Sequence, residues 1–195
     1  MECAQTPNLD SLAGRGTLLA DAFTPSPMCS PARAALFTGR YPHCNGVMGL
    51  THKRFAWDLY PEEIHLAQYL RRQGYQTRLA GLQHETRRKL DEHFDQCSGR
   101  GLADETVDAA LEYLEDMRQD ERPFYLQIGF VEGHRRPGHP NGEFGPAPAL
   151  DPEQVEVPGF LKDTPACRRE LAQFDGAISF MDAQIGRILE YLDDH

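Results

Sequence analysis

The run PFYLQIGFV, residues 123–131, constrains the fold of this chain more than any other segment. It is almost entirely apolar, which is typical of a strand that is buried on both faces of a sheet. It follows an amphipathic segment, residues 102–119, whose apolar side chains recur at helical spacing. A helix that leads into such a strand indicates an α/β fold with a largely parallel or mixed sheet.

Turn and cap signals divide the rest of the chain into further helices and strands. Besides residues 102–119, helices are predicted at residues 7–13, 31–38, 61–73 and 164–195. Besides residues 123–131, strands are predicted at TLLADAF (17–23) and YQTRLAG (75–81). Residues 132–165 are rich in Gly, Pro and His, and we expect a long loop that carries function. Three strands make an incomplete sheet, so we expect residues 1–195 to form one partial domain.

Composition excludes several classes of protein. The net charge is −10, from 30 acidic and 20 basic residues, so the long-range field repels nucleic acid and anionic lipid. No apolar run is long enough to span a bilayer, and the N-terminus shows no secretory signal. The five cysteines include no CxxC pair, which argues against a disulfide scaffold and against a zinc ribbon. We therefore expect neither a nucleic-acid partner nor a membrane partner.

The run TPSPMCSPARAALFTGR, residues 24–40, places Cys29 where a loop meets the start of a helix. Free backbone N–H groups and the helix dipole at such a position form a seat for a tetrahedral anion, such as sulfate or phosphate. Arg33 lies one turn inside the helix and can reach back with several donors. This combination predicts chemistry on an anionic ester. A cysteine phosphatase is excluded, because its loop needs five residues between the cysteine and the arginine, whereas three lie between Cys29 and Arg33.

Cys-x-Pro-x-Arg at residues 29–33 resembles the signature of the sulfatase family, and CSPARAALFTGRYP is similar to that family's longer motif. TPNLDSLAGRG and FDGAISFMDAQIGRILEYL also look like sulfatase segments. HCNGVMGL, EGHRRPGH and VEVPGFLKDTPACRRELAQF resemble the sulfamidase branch, which acts on N-sulfoglucosamine. The resemblance covers essentially the whole chain. It implies a three-layer α/β/α sandwich of the alkaline-phosphatase-like type.

The resemblance also implies a modification and a cofactor. In sulfatases a formylglycine-generating enzyme converts this cysteine to formylglycine, also called 3-oxoalanine, which supplies the nucleophile and binds a divalent cation, usually calcium. Cys29 would thus be both the nucleophile and a metal ligand, and Arg33 would hold the modified side chain. The implied substrate is a sulfate ester or sulfamate, either a sulfated small molecule or the end of a sulfated glycan.

Further site residues follow from the same resemblance. His84, in GLQH, corresponds to the histidine of the family's Gly-Lys-x-His motif, so Leu82 stands where a lysine is expected. His134, in EGH, matches the histidine that protonates the leaving group. Arg135 and His139 are predicted substrate contacts. A metal pair of His134 and His139 is less favoured, because Gly and Pro lie between them.

Simpler interpretations stand beside these assignments. Cys29 could be an inert buried thiol, Arg33 a surface charge and His84 a structural histidine at a strand end. The remaining histidines are expected on surfaces or in local packing, and the remaining cysteines as structural thiols. These residues are His43, His52, His65, His93, Cys3, Cys44, Cys97 and Cys167.

The resemblance leaves the metal site incomplete. Sulfatases bind their cation through an Asp-Asp pair after the first strand and an Asp-Asn pair after the strand that follows the last helix. The resemblance places both pairs outside this chain, so we expect an internal fragment that is inactive by itself. An inactive sulfatase-like protein and a phosphodiesterase or phosphonate hydrolase of the same superfamily are the alternatives. Full-length relatives are often lysosomal, periplasmic or secreted, and the compartment of this chain is left open.

Overall fold

The structure is a computed structural model that describes residues 4–52, 56–135, 144 and 150–195 of the chain. Contacts divide the chain into two compact units. The terminal unit comprises residues 1–18, 101–111 and 130–195. The sheet unit comprises residues 19–100 and 112–129.

Along the described residues, four helices precede the first strand, and strands and helices follow in turn after it. The helices are α1 (Pro7–Arg15), α2 (Cys29–Thr38), α3 (Pro42–Asn45), α4 (Leu66–Arg72), α5 (Ala103–Met117) and α6 (Pro165–Asp194), with a short 3-10 turn at Leu90–Glu92. The strands are β1 (Gln76–Gly81), β2 (Gln96–Cys97) and β3 (Phe124–Gly129). The predicted α/β class is confirmed.

The sheet unit is built on three parallel strands in the order β2-β1-β3. β1 pairs with β3 along its full length, from Gln76 opposite Phe124 to Gly81 opposite Gly129. Every residue of the central strand β1 is buried, whereas Phe124 at the start of β3 is 44% exposed. Because parallel strands end at the same edge of a sheet, the residues that follow the strands are gathered at one edge. Polar residues that are capable of binding or acid–base chemistry lie at this edge.

Three sequence predictions in the sheet unit are wrong. The strand β3 is not buried on both faces, because only Gln127 and Gly129 among its six residues are buried and it lies at an edge of the described sheet. TLLADAF forms no strand, and its Leu18 and Leu19 are 75% and 73% exposed. An apolar segment becomes a strand only when another strand accepts its hydrogen bonds, and no described segment pairs with this one. The helix predicted from Pro61 begins only at Leu66, because His65 caps it by accepting a hydrogen bond from the Ala67 N–H at 3.1 Å.

In the terminal unit, α6 supplies the cap for the start of α1. The buried carboxylate of Asp182 accepts hydrogen bonds from the backbone N–H groups of Asn8 at 3.1 Å and Leu9 at 2.9 Å. These are among the N–H groups that have no partner within α1, and Thr6 makes no side-chain cap to them. The Asn8 amide also donates to Asp182 at 2.8 Å. One buried carboxylate therefore fixes α1 to α6.

The longest helix does not have the character of a membrane segment. α6 has 30 residues, and Thr164 caps it by accepting a hydrogen bond from the Cys167 N–H, so its predicted start is confirmed. Throughout residues 4–52, 56–135 and 150–195, no helix is both long enough and apolar enough to cross a lipid bilayer.

Candidate active site

Cys29 is the first residue of α2, two positions earlier than the sequence predicts. Met28 before it is extended, and its side chain does not cap the first N–H groups of the helix. Buried Ser30 and Ala34 anchor the helix, and Gly39 ends it in the left-handed conformation at φ +68°. The cysteine is therefore held at the positive end of a helix dipole, as the sequence predicts.

His84 reaches Cys29 from the edge of the sheet. It lies three residues after β1 ends at Gly81. Its Nδ1 is 3.1 Å from the Sγ of Cys29, and the two residues are 55 positions apart in the chain. Both side chains are only partly buried, so a small molecule can approach the contact. A thiol and an imidazole at this distance can share a hydrogen.

Leu82, at the position where the family has a lysine, is buried. It is 3% exposed, and its backbone N–H donates to the carbonyl of Gly129 at 2.7 Å. Its side chain belongs to the core of the sheet unit, so this position offers no charge to an anion. A cation for the site has to come from another residue.

Burial and two neighbouring arginines favour the neutral form of His84. Burial lowers the pKa of His84 most, and the electrostatic effects of His52, Arg100 and Arg33 lower it further, against a smaller opposing effect of Glu85. Arg100 lies three residues after the end of β2, just as His84 lies three residues after the end of β1. Ser98, which directly follows β2, accepts a hydrogen bond from the N–H of Gly81 at the end of β1, at 3.1 Å. A neutral imidazole beside two cations suits an anionic ligand.

Glu85 anchors the backbone of His84 from below. Its carboxylate is fully buried and accepts hydrogen bonds from the His84 N–H at 2.8 Å, from His65 Nε2 at 3.2 Å and from Gln127 Nε2 at 3.2 Å. Burial alone would raise the pKa of Glu85, but these hydrogen bonds outweigh it and lower the pKa. The ionised carboxylate thus ties the ends of β1 and β3 to the start of α4.

Cys29, His84 and a third segment, Thr51 and His52, form one cluster of contacts. The Thr51 N–H donates to Ser30 Oγ at 3.3 Å, and its hydroxyl donates to the His84 carbonyl at 3.4 Å. His52 Nδ1 lies 2.6 Å from His84 Nε2, with the two rings stacked 4.7 Å apart. The sequence analysis missed His52 in this role and placed it with the surface or packing histidines. No local signal marks it, since its partner lies 32 positions further along the chain.

Two of the other predicted site residues are not part of the sheet unit. His134 and Arg135 belong to the terminal unit, where Arg135 pairs with Glu170 and lies over the ring of Phe144. His139 is outside the described residues. The four described cysteines are free thiols. His65 and His93 are buried and in ring contact, and His43 is exposed and stacked on Tyr41, as expected for packing and surface histidines.

An open groove of about 790 Å³ borders Arg33 on the other side. Phe23, Leu36, Arg40 and Tyr41 also line it, and neither Cys29 nor His84 does. Among the described lining residues of this groove, Arg33 is the one that also acts on His84.

The described residues do not fit a calcium ion. In the parts of the chain that the structure describes, no group of three or more His, Cys, Asp or Glu side chains is placed to hold a metal. Calcium takes about six to eight oxygen ligands, and position 29 alone cannot provide them.

Comparison with known proteins decides the family. The model of the family described as Sulfatase matches residues 1–195. This chain belongs to the sulfatase family. It is 33% identical to the N-sulphoglucosamine sulphohydrolase of Homo sapiens over 97% of its length, and it covers 42% of that protein. The sulfatase resemblance inferred from the sequence is therefore confirmed, including the similarity to the sulfamidase branch.

Solved structures show the same fold. The structure of yidJ from Bacteroides fragilis matches this sulfatase chain with a TM-score of 0.75 at 21% identity, over 100% of the chain and 55% of yidJ. The phosphonate monoester hydrolase of Agrobacterium radiobacter matches with a TM-score of 0.65 at 20% identity, over 98% of the chain and 55% of that enzyme. The expected alkaline-phosphatase-like α/β fold is confirmed. The chain spans about half the length of these relatives.

Proposed function

We propose that this sulfatase chain is part of an enzyme that hydrolyses a sulfate ester or sulfamate of a sugar, with the modified side chain of residue 29 as nucleophile. The observation that carries the proposal is the 3.1 Å contact between Cys29 Sγ and His84 Nδ1 at the start of α2. The printed name of the human relative, N-sulphoglucosamine sulphohydrolase, favours a sulfated amino sugar.

Residues of the sheet unit provide a seat for sulfate. Formylglycine, when present at position 29, supplies an oxygen nucleophile in place of the thiol. The N–H groups at the start of α2 would stabilise developing negative charge there, and so would the positive charge of Arg33, which already acts on His84. His84, neutral because its pKa is lowered, accepts a hydrogen bond at Nδ1 from the side chain at position 29. Cys29 is partly exposed, so the formylglycine-generating enzyme could reach it.

Arg100 takes the place of the absent lysine in this proposal. Leu82 is buried and carries no charge. Arg100 follows the neighbouring parallel strand at the same offset as His84 follows β1, and its charge lowers the pKa of His84. It is exposed and so can turn toward a bound sulfate.

The remaining roles are proposed from the family alone. His134 would protonate the leaving group, and Arg135 and His139 would contact the sugar. Calcium would be the cation bound by residue 29, although the described residues do not form its site. An inactive sulfatase-like chain is the alternative that this mismatch favours. The likeness to a phosphonate monoester hydrolase favours a second activity on phosphonate esters or phosphodiesters.

Mass spectrometry combined with turnover tests the proposal. The whole enzyme to which the proposal assigns this chain is produced with and without a formylglycine-generating enzyme, and the tryptic peptide of residues 16–33 is examined for an aldehyde in place of the Cys29 thiol. We expect hydrolysis of N-sulfated glucosamine or an aryl sulfate only when the aldehyde is present, and none in Cys29→Ala. Faster turnover of an aryl phosphonate would support the second activity. Aldehyde without turnover of any of these substrates would reject the enzyme proposal.

A further inference from the structure

We propose that His52 is a positioning residue, which holds the imidazole of His84 with Nδ1 toward residue 29. This inference rests on the proposed function. No resemblance assigns a role to His52. Its place in the site follows from contacts that join three separate segments: the start of α2, the Thr51–His52 segment and the loop after β1.

The two ring nitrogens of His84 have different partners. Nδ1 is 3.1 Å from Cys29 Sγ, and Nε2 is 2.6 Å from His52 Nδ1. A neutral imidazole has one N–H donor and one acceptor nitrogen. When Nδ1 accepts a hydrogen bond from residue 29, the hydrogen of His84 must be on Nε2, where it is donated to His52 Nδ1. His52 thereby selects the tautomer that leaves Nδ1 as an acceptor.

The orientation of the His84 ring depends on His52 as well. Glu85 holds the backbone N–H of His84, and Thr51 donates to its carbonyl, but neither contact limits rotation of the side chain. Within the described part of the chain, Cys29 and His52 are the hydrogen-bonding partners of the ring nitrogens. The stacked rings, 4.7 Å apart at an interplanar angle of 22°, add a flat surface against which the ring rests.

The backbone beside His52 makes this arrangement rigid. Thr51 is 3% exposed and is bonded on one side to Ser30 of α2 and on the other to the His84 carbonyl. His52 itself is exposed and contributes little buried surface. Removing its ring should therefore affect the placement of His84 far more than the stability of the fold.

Three variants separate positioning from packing. His52→Leu removes the acceptor. His52→Asn retains one, because its Oδ1 can occupy the place of His52 Nδ1. The matched control is His43→Leu, at an exposed histidine that stacks on Tyr41 and contacts none of the cluster.

The first measurement is steady-state hydrolysis of N-sulfated glucosamine by the aldehyde-bearing protein. We expect His52→Leu to lower kcat by about 10- to 100-fold, the usual effect of losing a residue that orients a site group, with KM changed much less. His52→Asn should recover most of that loss, and His43→Leu should match the parent protein. Equal kcat in His52→Leu and the parent, or an Asn variant as slow as the Leu variant, would overturn the inference.

The second measurement needs no turnover. Long-range ¹H–¹⁵N NMR spectra of the imidazole rings report which nitrogen of His84 carries hydrogen. We expect the Nε2–H tautomer in the parent and in His52→Asn, and a mixture of tautomers in His52→Leu. If the parent hydrolyses none of the test substrates, the proposed function fails, but the spectra still decide about His52. A tautomer that is unchanged in His52→Leu would overturn its positioning role.

Discussion

Two buried carboxylates, one in each unit, both accept hydrogen bonds from backbone N–H groups, but they support different parts of the molecule. Asp182 in the terminal unit is 1% exposed, and Glu85 in the sheet unit is fully buried. Each accepts hydrogen bonds from backbone N–H groups. Among the described residues, the carboxylate of Asp182 bonds to the start of α1, whereas Glu85 joins His65, His84 and Gln127 from three segments.

A buried carboxylate that accepts backbone hydrogen bonds therefore supports helix packing at Asp182 and the candidate active site at Glu85. The partners of Asp182 are adjacent residues of one helix, so its loss should loosen the contact between α1 and α6. Glu85 fixes the backbone of His84, whose side chain contacts Cys29. Replacing Glu85 should therefore lower both kcat and the stability of the fold.

The largest effects are expected from Glu85→Gln and Asp182→Asn. Each change keeps the shape of the side chain but turns one acceptor oxygen into an NH₂ group that faces an N–H donor. Loss of a charge-assisted hydrogen bond together with an unpaired buried donor should cost roughly 3 to 5 kcal/mol in each variant. Urea unfolding of both variants and of the parent measures this.

Activity sharpens this comparison. At equal folded concentration, Glu85→Gln should lower kcat for the sulfated substrate, and Asp182→Asn should leave kcat near that of the parent. Equal losses of kcat in the two variants would mean that Glu85 acts on stability alone.

A smaller effect is expected from His93, which is buried in the sheet unit at 1% exposure. Neither of its ring nitrogens has a partner among the described residues, and burial, together with a smaller electrostatic effect of His65, lowers its pKa from 6.5 to about 4. The unfolded chain therefore binds the proton first. Stability is fully present above pH 6.5 and falls between pH 6.5 and 4, by about 1.4 kcal/mol per unit and about 3 kcal/mol in all.

His93→Phe tests this pH dependence. An aromatic ring of similar shape replaces an imidazole that makes no hydrogen bond, so stability at pH 7 should change little while the fall toward pH 4 flattens. His43→Phe, at an exposed site, should retain the fall. The described histidines of the terminal unit, His134 and His195, are exposed. Hydrogen exchange at pH 5 should therefore rise in β1 before α6, and the reverse order would place the sensitive group elsewhere.

The parts of the fold that the sequence predicted depend on local signals. Gly39 ends α2, Thr164 caps α6, Gly74 precedes the strand β1, and an apolar run marks the strand β3, as predicted. TLLADAF was mispredicted because strand formation depends on a neighbour elsewhere in the chain.

The candidate site divides in the same way. The motif around Cys29 and the GLQH segment identified Cys29 and His84, which the structure brings together. The roles of His52 and Glu85 and the burial of Leu82 depend on contacts between segments that are distant in the chain. A single sequence contains no pattern for such contacts.

Two glycines permit a further contrast between the units. A Cβ on Gly129 would lie 2.0 Å from the Leu82 carbonyl oxygen, which is backbone and cannot move alone. The three atoms nearest to a Cβ on Gly186 would all belong to the side chain of Asn8, the closest at 2.5 Å. Gly129→Ala should cost roughly 2 to 3 kcal/mol through overpacking. Gly186→Ala should cost less than about 1 kcal/mol, because alanine favours the helix. Thermal melts that rank the two in the opposite order would show that Asn8 is the more rigid neighbour.

The smallest effects are expected from exposed ion pairs, of which each unit has an example. Arg15 pairs with Asp193 at 2.7 Å in the terminal unit, and Arg118 with Glu115 at 2.8 Å in the sheet unit. Their side chains are about half exposed, so water and salt screen the attraction. Arg15→Gln and Arg118→Gln should each cost less than about 1 kcal/mol, and the cost should shrink further in 0.5 M salt. A larger, salt-independent loss for Arg15→Gln alone would mean that the contact between α1 and α6 depends on this pair as well as on Asp182.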